Sequence, residues 1–188
     1  MLNSIVKLHF LAGRKYLQST SLFQYLIETL EADKDITYKF ISPIYSDCFY
    51  LTEQVENVNV LFQYTKDGEQ KQIGVKEAPK SSDIMRLPFD ENEIIANAHF
   101  MQDNVVFAAN KDDFFCKSVC LIKQLHQLNH KDEKGGRWIF SRADLNFLPQ
   151  NGEIEIHCTH KLPKVSCSQL IQNKVNFGKI YFSWVENL

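Results

Sequence analysis

The densest group of metal-binding residue types lies near the C-terminus. His157, Cys158 and His160 are close in sequence, and Cys167 follows shortly after them. Imidazole and thiolate are ligands that zinc prefers in proteins. The segment has the composition of a β-strand, however, and successive side chains of a strand point to opposite faces. His157 would point away from Cys158 and His160, which leaves only Cys167 nearby, so we predict no metal site.

Other potentially reactive residues have simpler structural interpretations. Cys116 and Cys120 are one helical turn apart, and we expect them to fill small spaces in an apolar core. Gly135 and Gly136 have neither a predicted strand before them nor a helix after them, so they do not indicate a phosphate-binding loop. The sequence contains no nucleophile elbow and no Ser, His and Asp at a recognisable spacing. Nucleophilic catalysis therefore has no signature here.

The composition disfavours several classes of protein. The 188 residues carry a formal charge of -2, so no excess of positive charge is available to bind nucleic-acid phosphates. Five cysteines form an odd number without a disulfide framework, which is typical of reduced thiols. Lys7 and His9 interrupt the apolar stretch near the N-terminus, and no run approaches the roughly 20 apolar residues of a membrane span. We predict a soluble, cytoplasmic protein.

The apolar pattern predicts a helix followed by a β-meander in the first part of the chain. Val6, Leu8 and Phe10 alternate with other residues, as in a short half-buried strand. Apolar residues within 22–30 recur at helical spacing, and Ser or Thr at 19–21 can cap the helix. Short β-rich segments follow at 37–41, 49–55, 58–64 and 70–75, with a turn at 66–69.

The same order of elements recurs after a linker that we predict at residues 79–93, which contain two prolines and paired serines. Residues 98–100 and 105–108 have extended character, and 112–127 has helical periodicity. Further strands are predicted at 138–147, 153–159, 164–172 and 175–185, with Asn151-Gly152 and Phe177-Gly178 as turns.

Short matches between the two parts indicate an internal repeat within one compact domain, with residues 1–78 as the first half and 94–188 as the second. Three pairs of segments match in the same order: His9-Phe10 with His99-Phe100, 25–30 with 120–125, and 39–43 with 146–149. Each match is weak by itself. Their common order and element types favour a duplication.

This arrangement resembles the hotdog fold of acyl-thioester dehydratases and thioesterases. The strongest local match runs from Phe40 to Val55, where an aromatic-containing strand reaches Pro43 and Asp47 before the next strand. Two such units in one chain resemble a double hotdog, in which the halves pair as two subunits of a dimer would. The resemblance implies an α+β fold of two tandem helix-plus-antiparallel-meander units with a continuous sheet.

The resemblance also implies catalytic candidates. In the carrier-protein dehydratases, a histidine near a His-Phe motif removes the proton next to the thioester carbonyl. A carboxylate on the central helix of the opposite subunit protonates the departing hydroxyl. Carried over to this chain, the resemblance makes His99 the base and Glu28 the acid, in opposite halves. Lys123 occupies the position of Glu28 in the second helix, so the pairing with His9 lacks its acid and at most one site is implied.

Departures from the family pattern leave the activity open. Residues 101–104 replace the family's Gly and Pro after the His-Phe motif, which removes a tight turn that helps position the substrate carbonyl. Thioester hydrolysis with Glu28 alone therefore competes with dehydration. Without the resemblance, Glu28 is typical of a solvated helix residue and His99 of a strand histidine.

Two functional hypotheses follow. In the first, the protein acts on or binds an acyl thioester, carried by coenzyme A or an acyl carrier protein, without a cofactor. In the second, it is a non-catalytic protein-binding factor, such as an inhibitor, immunity or accessory protein, whose partner is another protein or a second copy of itself.

Overall fold

A computed structural model describes residues 4–129, 135–162 and 164–186. The chain divides into two compact units, a first that ends at Asp90 and a second that begins at Glu91. Each unit contains helix and antiparallel sheet, so the predicted α+β class is confirmed. None of the described helices has the length and apolar character that a membrane span requires.

The first unit packs one helix, α1 (Ser19–Leu30), against an antiparallel sheet. Its strands are β1 (Ile5–Lys7), β2 (Phe10–Leu11), β3 (Lys34–Phe40), β4 (Cys48–Thr52), β5 (Val60–Lys66), β6 (Glu69–Glu77) and β7 (Arg86–Leu87). The strands of the sheet are adjacent in the order β1-β4-β6-β5-β3. β2 pairs separately with β7, in parallel. Phe10 of β2 belongs to the predicted N-terminal strand, whereas β7 lies inside the predicted linker at residues 79–93.

Local sequence explains most of the first unit. β5 and β6 join through the predicted turn, in which Asp67 and Gly68 both have positive φ, the conformation of a tight hairpin. The predicted helix cap is wrong: Ser19 already lies in the helix, and Gln18 precedes it without a capping side-chain hydrogen bond. The helix ends at Glu31, whose backbone is left-handed and whose N–H donates to carbonyls of the last turn.

The core of the first unit is aromatic. Phe23 of α1 lies edge-on to Tyr38, with ring centroids 5.4 Å apart, and to Phe62 at 6.3 Å. Tyr25 contacts Phe49 of β4 in the same way at 5.6 Å. The buried Tyr38 donates its hydroxyl to the Ser19 carbonyl at 2.8 Å, so burial leaves no polar group of this ring without a partner.

The order of strands in the first unit differs from the predicted meander. β4 is followed in sequence by β5 but lies next to β6, so residues 53–59 must cross β6 to reach β5. Gly74 of β6 makes this crossing possible. A Cβ at that position would lie 2.3 Å from the Gln54 carbonyl oxygen and 2.7 Å from Val58 Cγ1, which is too close for any other residue.

The second unit contains a short helix, α2 (Glu91–Ala96), and a longer one, α3 (Phe114–Asn129). Its strands are β8 (His99–Met101), β9 (Asn104–Ala109), β10 (Gly136–Phe147), β11 (Gly152–Leu162), β12 (Val165–Gln172) and β13 (Val175–Glu186). They are adjacent in the order β10-β13-β12-β11-β9-β8. Here β11, β12 and β13 form the simple meander that the sequence predicts.

The predicted turn at Phe177-Gly178 is wrong, because both residues lie inside β13. The turn between β12 and β13 is instead formed by Asn173 and Lys174, which both have positive φ. Gly178 has a different structural role, which is to allow two strands to approach closely. A Cβ there would approach Leu145 Cδ2 to 2.5 Å, so glycine permits close contact between β10 and β13.

Candidate functional site

Glu28 lies on the solvent side of α1. The helix buries Leu22, Phe23, Leu26 and Ile27, and the next position along turns the side chain of Glu28 away from the sheet. Its carboxylate accepts a hydrogen bond of 2.6 Å from the Gln24 side-chain amide, one turn earlier. The structure therefore places this candidate acid in an exposed position with a neutral neighbour.

His99, the candidate base, is exposed on β8, where it pairs with Val106 of β9. His9 is half-buried, and its Nδ1 is buried without a hydrogen-bond partner among residues 4–129, 135–162 and 164–186. The phenylalanines beside them also differ, because Phe10 is fully buried whereas Phe100 is half-buried. The two His-Phe pairs thus lie in different environments.

Glu28 belongs to the first unit and His99 to the second, so their joint action stays a prediction. At the helical position that matches Glu28, the second unit has Lys123. Its ammonium forms an ion pair with Glu91 Oε2 at 2.6 Å, which ties α3 to α2. The cation that replaces the acid in the second helix is therefore engaged in holding two helices together.

Asp47, part of the segment that carries the family resemblance, is completely buried and serves as an anchor. It accepts hydrogen bonds from the Ser81 backbone N–H at 2.9 Å and from the Ser81 hydroxyl, and Lys7 Nζ lies 3.7 Å away. Burial by itself would raise the pKa of Asp47, but the Ser81 hydrogen bonds and the Lys7 charge outweigh it and lower the pKa below its ordinary value. This carboxylate stays ionised and fixes the segment after β6.

Cys48 follows Asp47 and is a buried, unreactive thiol. Burial raises its pKa, and the nearby charge of Asp47 raises it further. All five cysteines are thiols outside any disulfide, as the composition predicts. A thiol that resists ionisation is a poor nucleophile, which agrees with the lack of a sequence signature for nucleophilic catalysis.

The structure brings together a pair that sequence reasoning missed. His126 of α3 and Ser166 of β12 are each 1% exposed, and Nε2 of the imidazole lies 2.6 Å from Oγ of the serine. The imidazole stacks on Trp138 at 4.7 Å and meets the edge of Phe182 at 5.1 Å. The sequence contains one indication of this pair, because His126 lies on the apolar face of the predicted helix. Enclosed in this way, the pair links α3 to the sheet and is closed to substrate.

The histidine and cysteine group near the C-terminus forms no recognised ligand set. Across β11 and β12 the register shifts after Cys158, so Cys158 is opposite Ser168 whereas Cys167 is opposite residue 160. His157 pairs with the carboxylate of Glu155. The side chain of His160 lies outside the described ones. Among the side chains described, no three His, Cys, Asp or Glu residues are placed to hold a metal ion.

Comparison with known proteins identifies the fold. No protein-family model matches the sequence, and no curated protein sequence matches it. A protein described as a thioesterase II from Thermobifida fusca has a TM-score of 0.51 at 10% identity, over 97% of this chain and 91% of that chain. The tesB protein of Mycobacterium avium subs paratuberculosis has a TM-score of 0.51 at 6% identity, over 96% and 90%.

A monomeric dehydratase domain from a trans AT polyketide synthase split module is also similar, with a TM-score of 0.47 at 8% identity over 98% of both chains. The fold assignment rests on the Thermobifida fusca and Mycobacterium avium proteins, whose matches extend over nearly the whole of each chain. Thioesterases of this kind are hotdog proteins, so the predicted hotdog fold is confirmed. Identities of 6–10% show the fold alone.

Proposed function

We propose that the protein binds or acts on an acyl thioester carried by coenzyme A or an acyl carrier protein, with its two units as the halves of a double hotdog. The observation that carries this proposal is the whole-length similarity to a described thioesterase II, over 97% of this chain and 91% of that one. A similarity restricted to one unit would have supported only a common building block. Fold similarity limits the substrate class but does not select the reaction.

Of the two reactions, hydrolysis needs fewer groups from this chain. Dehydration requires a base and an acid on the same substrate, which would be His99 and Glu28 acting together. Hydrolysis requires a carboxylate that can orient a water molecule, and Glu28 alone could serve. The carboxylate of Glu28 is exposed, so water can reach it, and its hydrogen-bond partner is the neutral side-chain amide of Gln24.

Turnover of a substrate panel tests this proposal. The full chain is incubated with acyl-CoA esters of increasing length and with hydroxyacyl carrier proteins, and free thiol and dehydrated product are measured separately. We expect Glu28→Gln to abolish thiol release, whereas Glu53→Gln, which changes an exposed carboxylate in the same unit, leaves it unaltered. His99→Gln should matter only for dehydration. Activity that survives both Glu28→Gln and His99→Gln would show that these residues are not the site.

The exposure of both candidate side chains supports a second function, that of a non-catalytic protein-binding factor. Enzymes of this chemistry exclude water from the reacting groups, and Glu28 and His99 are each open to solvent. Under this alternative, no substrate in the panel is turned over, and purification from the native host yields a stoichiometric protein partner. A single monomeric species with thioesterase activity would exclude it.

A further inference from the structure

The crossing of β6 by residues 53–59 leaves a groove on the face of the first sheet that is opposite α1. Phe49 and Leu51 of β4 are buried toward the helix side, so the alternating residues Tyr50 and Thr52 point to the other face. The groove has a volume of about 230 Å³ and is lined by Tyr50, Thr52, Gln54, Glu56, Val58 and Lys76.

The wall of this groove is held in place by the protein itself. At its start, the Gln54 backbone N–H donates to Thr52 Oγ1 at 3.1 Å. At its end, the Asn59 side-chain amide donates to Ser42 Oγ at 3.0 Å, and its carbonyl oxygen accepts from the Glu77 N–H at 2.8 Å. In between, the backbone is in close contact with Gly74. A ligand would therefore meet a preformed site and would not have to order the loop.

The polar groups of the groove are available to a ligand. Tyr50 and Lys76 are directly opposite each other on neighbouring antiparallel strands, which puts a hydroxyl and an ammonium group on one side. Glu56 contributes a carboxylate from the wall. Within the described part of the chain, none of these three side chains forms a hydrogen bond or ion pair. Two opposite charges without partners, together with a donor hydroxyl, are complementary to a molecule that carries both charges.

We propose that this groove binds a small zwitterion of the amino-acid type. Its carboxylate would lie at Lys76 and Tyr50, its ammonium group at Glu56, and an apolar side chain against the buried Val58. The volume is below the 300–1,000 Å³ typical of sites for drug-sized ligands, which favours a smaller molecule. This site lies within the first unit and is independent of the acyl-thioester proposal.

Titration of the full chain with each of the free amino acids, followed by calorimetry and amide NMR, tests the proposal. We expect at least one apolar amino acid to bind. Its carboxamide and its N-acetyl derivative, which each lack one of the charges, should bind at least tenfold more weakly. Lys76→Met and Glu56→Gln should each weaken binding at least tenfold.

Two matched variants separate the groove from general effects of charge. Lys71→Met removes another lysine of β6, and Glu53→Gln removes a neighbouring carboxylate outside the lining, so both should bind as the unaltered protein does. The proposal is overturned if no amino acid binds at millimolar concentration, or if the carboxamide or the N-acetyl derivative binds as tightly. Because the derivatives are tested on the unaltered chain, this result does not depend on whether a variant folds.

Discussion

The two units use the same order of elements after their main helix and differ in one connection. In the first unit, residues 53–59 cross over β6, so the strand after β4 is not its neighbour. In the second unit, β11 turns directly into β12, with Leu162 paired to Val165. The crossover forms one wall of the groove, which Glu56 and Lys76 help to line. One connection can thus change strand neighbours, and create a surface site, without changing the order of elements along the chain.

The interfaces between helix and sheet differ as well. Under α1 the buried helix residues are apolar except for Thr20. In the second unit, the interface between α3 and the sheet buries Ser118 of the helix together with Ser166 and Ser168 of β12. His126 of α3 forms a hydrogen bond with Ser166. The first interface gains its stability from aromatic packing, whereas the second contains polar groups that must find partners.

Phe23→Ala should have the largest effect, because it removes the ring that α1 contributes to the aromatic cluster with Tyr38 and Phe62. We expect the free energy of unfolding to fall by about 3–5 kcal/mol. Urea denaturation followed by circular dichroism measures the loss, and hydrogen exchange should increase in α1 and β5. Tyr45→Ala, at a ring that is 55% exposed, is the control. A loss no larger than that of the control would mean that aromatic packing does not dominate the first interface.

Gly74→Ala tests the crossover. The new methyl group would meet the Gln54 carbonyl oxygen at 2.3 Å, and this backbone atom can move only if the wall of the groove shifts. We expect a loss of about 3 kcal/mol, the upper end of the usual range for overpacking. Gly13→Ala is the matched control, since a Cβ there has nothing within 4 Å. Equal stability of the two variants, measured by thermal denaturation, would show that residues 53–59 do not pack on β6 as described.

Asp47→Asn tests the buried anchor of the first unit. Because the folded-state pKa is lowered, the ionised carboxylate stabilises the fold above the ordinary pKa, and this contribution is lost as the pH falls through the folded-state value. We expect the variant to lose about 2 kcal/mol at pH 7, as for a hydrogen bond to a charged group. The difference between the variant and the unaltered protein should begin to shrink below about pH 4, the ordinary pKa of Asp, and should disappear only as the pH falls through the lower folded-state pKa.

Asp83→Asn is the control for this pH series, because only the backbone carbonyl of Asp83 takes part in the contacts around Asp47. Denaturant midpoints measured from pH 7 to pH 3 give both curves. If the difference between Asp47→Asn and the unaltered protein stays constant over this range, Asp47 does not act through its charge.

The local sequence predicted the helices, strands and turns well, but it did not predict which strands lie next to each other in the sheet. The β5–β6 turn was predictable because Asp67-Gly68 suits a tight hairpin, and α1 because its apolar residues follow a helical period. Glycine was ambiguous: Gly178 resembles a turn residue but lies in a strand where two backbones approach closely. The crossover over Gly74 depends on which strands pair, and a β-rich pattern fits a simple meander equally well.

The candidate site shows the same limit. Glu28 was predictable as a helix residue, but whether it faces the sheet depends on the phase of the helix, and the apolar side chains of Leu26 and Ile27 leave it on the solvent side. The bond between His126 and Ser166 joins residues distant in sequence, so it needed the fold before it could be recognised. An apolar helix face that contains one histidine was the only local sign of it.

The smallest change in stability is expected for two serines of β12, Ser166 and Ser168, whose side chains point to the same face of the sheet. Ser166→Ala leaves the buried His126 Nε2 without its partner, which should cost about 1–2 kcal/mol. Ser168 Oγ is equally buried but has no hydrogen bond within the described residues, so Ser168→Ala should be neutral or stabilising. Urea denaturation monitored by the fluorescence of Trp138, which stacks on His126, reads out both variants. Equal losses would mean that the second interface depends on serine packing and not on the polar bond that distinguishes it from the first.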